Sequence, residues 1–131
     1  MPDTLIMDLT LEQGGGRVSQ VQPPKNVWAQ YFSIDLDEDP DVLPELVLQD
    51  QKHPASAPEH RPVVYHDHNW TVEIGDAGMP RPAILRMVRV TANSYDYWVY
   101  CPGDPEYDHV NWILDNVANP HRTHGRRWVI L

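Results

Sequence analysis

The sequence predicts an α+β domain: a mostly antiparallel β-sheet of about five to eight strands with one helix toward the C-terminus, near residues 105–118. Three observations predict it. Apolar residues alternate with period two through much of the chain before Cys101. A segment of helical period follows, opened by Asp104-Pro105 and stopped by Asn119-Pro120. The length of 131 residues suits a single domain, 1–131, with one hydrophobic core. An all-β barrel or sandwich is the alternative architecture for the same strands.

The first element is TLIMDLTLE, residues 4–12, where Leu5, Met7, Leu9 and Leu11 alternate with Ile6, Asp8, Thr10 and Glu12 as in a half-buried strand. Gly14-Gly15-Gly16 breaks it, and RVSQVQ reads as a returning strand ended by Pro23-Pro24. VWAQYFSIDL, residues 27–36, reads as a further strand with Trp28, Phe32, Ile34 and Leu36 on one face. Residues 37–62 form an irregular, Pro-rich, acidic segment with a short element around Leu43–Gln49.

The second half is more regular. Val63, Val64 and WTVEI supply one or two strands. AILRMVRVT, residues 83–91, and YDYWVYC, residues 95–101, are joined by Ala92-Asn93-Ser94 and read as a hairpin. The first of these is apolar on both faces, as in a central strand covered on both sides. In the helix, Asp104 suits the N-cap and Pro105 the first turn, while Val110, Ile113, Leu114 and Val117 make one apolar stripe. RWVIL is a last strand.

Charge bounds the function. Ten bases against 19 acids give a formal net charge of −9, which argues against a nucleic-acid backbone as ligand. Residues 1–60 hold 11 acids and 3 bases, whereas residues 61–131 hold 8 acids and 7 bases. No apolar run has the roughly 18–20 residues of a membrane span. The N-terminus lacks the basic start of a secretory signal, and the single Cys101 cannot form an internal disulfide. A cytoplasmic protein with no membrane partner is therefore expected.

The densest feature is acidic. Asp35, Asp37, Glu38, Asp39, Asp41, Glu45 and Asp50 occur without an intervening base, interleaved with Val42, Leu43, Leu46, Val47 and Leu48. An EF-hand loop is excluded, because Pro40 and Leu46 occupy the positions that need glycine and an acid. Acids with apolar anchors suit docking on a basic protein surface by steering and complementary charge. The first functional expectation is thus a non-enzymatic interaction protein of the inhibitor, immunity or adaptor type, without a cofactor. Asp35, Asp37, Glu38, Asp39, Asp41 and Glu45 are its candidate partner-binding residues, and self-association as a homodimer stays open.

The alternative rests on histidines. On a strand, His66 and His68 point to one face and could meet one ion, with Glu73 following. His-x-His with a following Glu resembles, in spacing, the first metal motif of cupin barrels. The preceding glycine is absent, with Arg61 and Pro62 in its region, and the later glycine is displaced to Gly78. Pro102-Gly103 and His109 only roughly echo the second cupin motif. The resemblance implies a small metal or small-molecule binder in which His66, His68 and Glu73 hold a divalent metal.

His121-x-x-His124 with Arg126-Arg127 forms a donor-rich stretch after the helix, suited to an anion or simply to the helix C-terminus. On YDYWVYC, Tyr95 and Tyr97 share one face and Trp98 and Tyr100 the other, so an exposed set would mark an interface.

Overall fold

A computed structural model describes residues 3–9, 20–21, 23–34, 45–51, 57–66, 69–73, 83–117, 122–123 and 126–131. In chain order the elements are β1 (Thr4–Leu9), β2 (Gln20–Val21), α1 (Lys25–Gln30), β3 (Glu45–Asp50), β4 (Glu59–Pro62), β5 (Val64–His66), β6 (Asn69–Glu73), β7 (Ala83–Arg89), β8 (Ser94–Tyr100), α2 (Tyr107–Asn116), β9 (Arg122–Thr123) and β10 (Arg126–Ile130). Seven strands form one sheet in the order β4-β3-β8-β7-β1-β10-β9, and three form a second, β2-β6-β5. All the pairings are antiparallel except β3 with β8. The α+β class expected from the patterning is the fold.

β7 is central, as its two apolar faces require. It pairs with β1 from Thr4↔Val88 to Leu9↔Ala83, and with β8 from Ile84↔Tyr100 to Arg89↔Tyr95. Because side chains alternate across a strand, this register sorts the apolar residues into two layers. One face carries Leu5, Met7, Leu9, Leu85, Met87, Tyr95, Tyr97, Leu46, Leu48 and Trp128. The other carries Ile6, Ile84, Tyr100 and Val129, covered by Val110 and Leu114 of α2.

The larger layer is closed by a segment expected to be a strand. Of that segment, residues 27–34 do not form one: Lys25–Gln30 are helical, and Ser33 has φ 57°, while Asp35 and Leu36 lie outside the described residues. Val27, Trp28, Tyr31 and Phe32 recur at the i, i+1, i+4, i+5 spacing of a helix face, which places all four in the core. Their tilted rings interlock, with Trp28–Phe32 and Tyr31–Phe32 centroids each 5.0 Å apart. The Tyr31 hydroxyl donates to the carbonyl oxygens of Asp3 and Met87, 2.8 and 3.0 Å away. That tie holds α1 on the strand ends of β1 and β7. The Arg89 guanidinium lies 5.2 Å from the Tyr31 ring and 5.8 Å from the Tyr95 ring.

α2 begins at Tyr107, two residues beyond the expected first helical position, with Glu106 at the N-cap. Asp104 caps a turn instead: its Oδ2 accepts the Cys101 N–H at 2.7 Å. Of the expected stripe, Val110 and Leu114 are buried and Ile113 is partly buried, but Val117 lies beyond the helix and is 44% exposed. No helix among the described residues is long and apolar enough to cross a membrane.

Leu114 is fully buried, so Leu114→Ala should cost about 2–5 kcal/mol, whereas Val117→Ala should change stability by under about 0.5 kcal/mol in denaturant titrations. Burial, before any neighbouring charge, raises the phenol pKa of Tyr31, Tyr95 and Tyr97 above the usual 10.0. The unfolded chain ionises these phenols near pH 10 while the folded chain keeps them neutral. Their contribution to stability is therefore complete below about pH 10 and falls as pH rises above it. A spectrophotometric titration should show Tyr31, Tyr95 and Tyr97 resisting ionisation until the chain unfolds. Ionisation of all six near pH 10 in the folded state would contradict the packing.

Candidate functional site

The position of α2 is fixed by a polar knot on one face of the sheet. Asp8 occupies the polar register of β1 and Arg127 the neighbouring position on β10. The Arg127 Nε and Nη2 donate to the Asp8 carboxylate at 2.8 and 2.9 Å, and its backbone N–H donates at 3.0 Å. The same guanidinium reaches α2, with Nη2 2.9 Å from Asn111 Oδ1 and Nη1 2.5 Å from Asp115 Oδ1. Its hydrogen bonds to Asp8 raise its pKa further, against the opposing effect of burial. This knot grips the flank of α2 that carries Asn111 and Asp115. The opposite flank carries Ile113 and Val117, one turn apart.

On the same face, the β7–β8–β3–β4 half of the sheet forms a shelf of mixed polar and apolar residues. In the apolar cluster on this face, Val110, Leu114, Tyr107 and Ile113 pack with Ile6, Ile84, Tyr100, Val129 and Trp98. Across the shelf run Arg86 beside Trp98, Val88 and Gln49 beside Asp96, and Val47 between Ser94 and His60. Arg86, Val88, Trp98, Asp96, Val47 and Gln49 are all half-buried. The Arg86 guanidinium lies 4.5 Å from the Trp98 ring centroid and partly shields it. Of the two aromatic pairs on β8, Tyr95 and Tyr97 are buried in the large layer and Tyr100 under the helix face, so Trp98 is the member that borders the shelf. At the hairpin end Val90 is 59% exposed.

The acidic segment enters the sheet at this shelf. Glu45, the first residue of β3, is exposed, and its Oε1 lies 3.0 Å from His60 Nδ1 on β4. The next residues anchor firmly: Leu46 is buried, and the Val47 N–H donates to Asn93 O at 2.9 Å beside the β7–β8 hairpin. At the other end Ile34 packs against the large core layer. Asp35, Asp37, Glu38, Asp39 and Asp41 lie outside the described residues.

The opposite face of the β3–β4 pair holds a second polar group. The buried Tyr97 hydroxyl donates to Glu59 Oε2, while the Arg61 Nε and Nη2 donate to Glu59 Oε1 at 3.3 and 2.8 Å. Burial and then the Glu59 bond push the Tyr97 phenol up. The arrangement neutralises Glu59 and ties edge strand β4 to β8.

The candidate metal residues are placed less closely. In the β5–β6 hairpin, His66 pairs with Asn69, whereas Glu73 pairs with Gln20 of β2. Glu73 thus stands four residues along β6 from the position facing His66, about 13 Å at the strand rise. His68, His121 and His124 lie outside the described residues. Among the described residues no group of three or more His, Cys, Asp or Glu is assembled to hold a metal ion. Arg127, read from sequence as part of a donor-rich stretch, is committed to Asp8, Asn111 and Asp115. The shelf had one signal in the sequence, the Trp98 face of β8.

Both partners of the Arg127–Asp8 pair are largely buried, with side chains 15% and 14% exposed. Arg127→Met should leave Asp8 buried without its partner and cost roughly 3 kcal/mol, at the low end for a broken buried pair. Asn111→Ala should cost less, about 1 kcal/mol. Chemical denaturation of the two variants checks the order; an Arg127→Met cost under about 0.5 kcal/mol would refute the clamp.

No family model matches the chain, and no curated protein matches it. Among solved structures it is similar to the N-terminal domain of Helicobacter pylori LlaJI.R1, at 10% sequence identity and a TM-score of 0.66, over 98% of this chain and 98% of that one. At that identity the likeness is one of fold.

Proposed function

We propose that the chain is a non-enzymatic interaction module that docks on a basic protein surface through its acidic segment. The observation that carries this reading is the attachment of the segment. Five acids, Asp35, Asp37, Glu38, Asp39 and Asp41, precede exposed Glu45 on a span whose two ends are pinned to the core. Like charges so close repel one another, and a basic partner relieves that repulsion. The net charge of −9 extends the attraction beyond the segment and speeds encounter. Similarity to a domain named as the N-terminal part of another protein fits a fold used as a module, and the surface rather than the fold then sets the partner.

The test uses the full chain immobilised and exposed to lysate at low ionic strength, with captured proteins eluted in salt steps and identified. Basic proteins should elute as salt screens the attraction. A variant carrying Asp37→Asn, Glu38→Gln, Asp39→Asn and Asp41→Asn should retain at most about a tenth of them, with thermal stability unchanged or slightly higher. Equal capture by the variant, or capture of acidic proteins only, would reject this reading.

A further inference from the structure

α2 turns one face to the sheet and carries a tryptophan on the other. Val110 and Leu114 are buried in the layer beneath, and Trp112 stands midway between them in sequence. Two residues turn a helix by about 200°, so Trp112 lies on the far side of α2 from both. It is 59% exposed. Tryptophan has a large apolar area to leave in water, and it is enriched where protein partners bury it on binding.

The charge around it has one sign. From Pro102 to Pro120 the chain carries Asp104, Glu106, Asp108 and Asp115 and no lysine or arginine. Asp108 and Asp115 stand one turn before and one turn after Trp112, at i−4 and i+3, on its face of the helix. Asp108 is exposed, and the Asp115 side chain is 55% exposed although Arg127 reaches it from the sheet. Helical side chains lean toward the N-terminus, which brings the indole over the turn that carries Asp108.

Charge complementarity names the occupant. An indole face attracts a cation, and a carboxylate beside it strengthens the attraction. The chain uses this chemistry internally, with the Arg86 guanidinium 4.5 Å from the Trp98 ring centroid. Among the described residues no cation lies over Trp112. A guanidinium suits the place better than an ammonium, because it is planar, weakly hydrated and stacks on aromatic rings. Arg127 holds α2 to the sheet through Asn111 and Asp115, so a partner meets an element that is already ordered.

We infer that Trp112, with Asp108 and Asp115 beside it, is a docking point for an arginine side chain of a basic protein partner. The guanidinium stacks on the indole and is met by the Asp108 carboxylate. The inference rests on the reading of the chain as an acidic module for basic partners, and it adds a contact carried by α2 rather than by the acidic segment.

The probe is a short fluorescein-labelled peptide of alternating arginine and serine. One control carries lysine in place of arginine, and another carries citrulline, which keeps the shape of arginine without its charge. Binding to the full chain is followed by anisotropy. The site is followed by the Trp112 indole N–H chemical shift, assigned through Trp112→Phe. The arginine peptide should bind more tightly than the lysine peptide, the citrulline peptide should not bind, and the Trp112 signal should move. Trp112→Ala should weaken binding about tenfold, and Trp112→Phe should recover part of the loss. Asp108→Asn should weaken it about threefold and flatten its salt dependence. All three substitutions fall at exposed positions, so thermal unfolding should not shift. Absence of arginine-peptide binding, equal binding of the citrulline or lysine peptide, or an unmoved Trp112 signal would each overturn the inference. Loss of binding in the variant Asp37→Asn, Glu38→Gln, Asp39→Asn and Asp41→Asn, with Trp112→Ala unaffected, would overturn it while leaving the acidic-segment reading standing. Loss in Trp112→Ala with the four-acid variant unaffected would keep the docking point on α2 and count against the segment.

Discussion

The structure depends on two strands that are apolar on both sides. β1 presents Leu5, Met7 and Leu9 to one layer and Ile6 to the other, and β7 does the same with Leu85 and Met87 against Ile84. Strands of this kind cannot leave either face to water, because each buried aliphatic side chain contributes about 1.5–3 kcal/mol relative to exposure. Each face therefore needs a cover that folds over it. One cover is the aromatic segment from Val27 to Phe32. The other is α2. The remaining strands of the large sheet extend from this pair toward β4 on one side and β9 on the other.

The two covers are unequal. The aromatic segment belongs to a layer that reaches from Trp128 on β10 to Leu46 and Leu48 on β3, almost the full width of the sheet. α2 spans about three strand spacings and ends its apolar contact near Trp98. An apolar stripe alone would let such a helix slide, since hydrophobic contact is non-directional. Arg127 removes that freedom. A planar guanidinium held by the Asp8 carboxylate and reaching Asn111 and Asp115 sets the helix at one place on the sheet.

Fold and surface are separable here. A solved domain at 10% identity shares the chain path over nearly all of both chains. The chemistry of this chain lies in the acids before β3, the Trp98–Arg86 stack and the Arg127–Asp8 clamp. Binding properties reside in such features rather than in the strand order.

The alternation in TLIMDLTLE, AILRMVRVT and YDYWVYC and the stripe in α2 were enough to identify β1, β7, β8 and the helix, because period reports local geometry directly. The acidic segment was equally plain, since charge needs no fold to be counted. The segment 27–36 was not legible. Val27, Trp28, Tyr31 and Phe32 are β-formers by type, and a six-residue helix without a side-chain cap leaves almost no periodic signal. It is helical because its aromatic rings fill the layer over β1 and β7, a tertiary override of propensity. Asp8 read as a solvent-side residue and Arg127 as a free donor. Their pairing joins positions 119 residues apart and is set by β10 lying beside β1. The sequence by itself determined which faces are apolar and where the charge lies. Which element covers each face was decided only when the strands were ordered in the sheet, because periodicity records that a surface needs a partner but carries no information about the partner it meets.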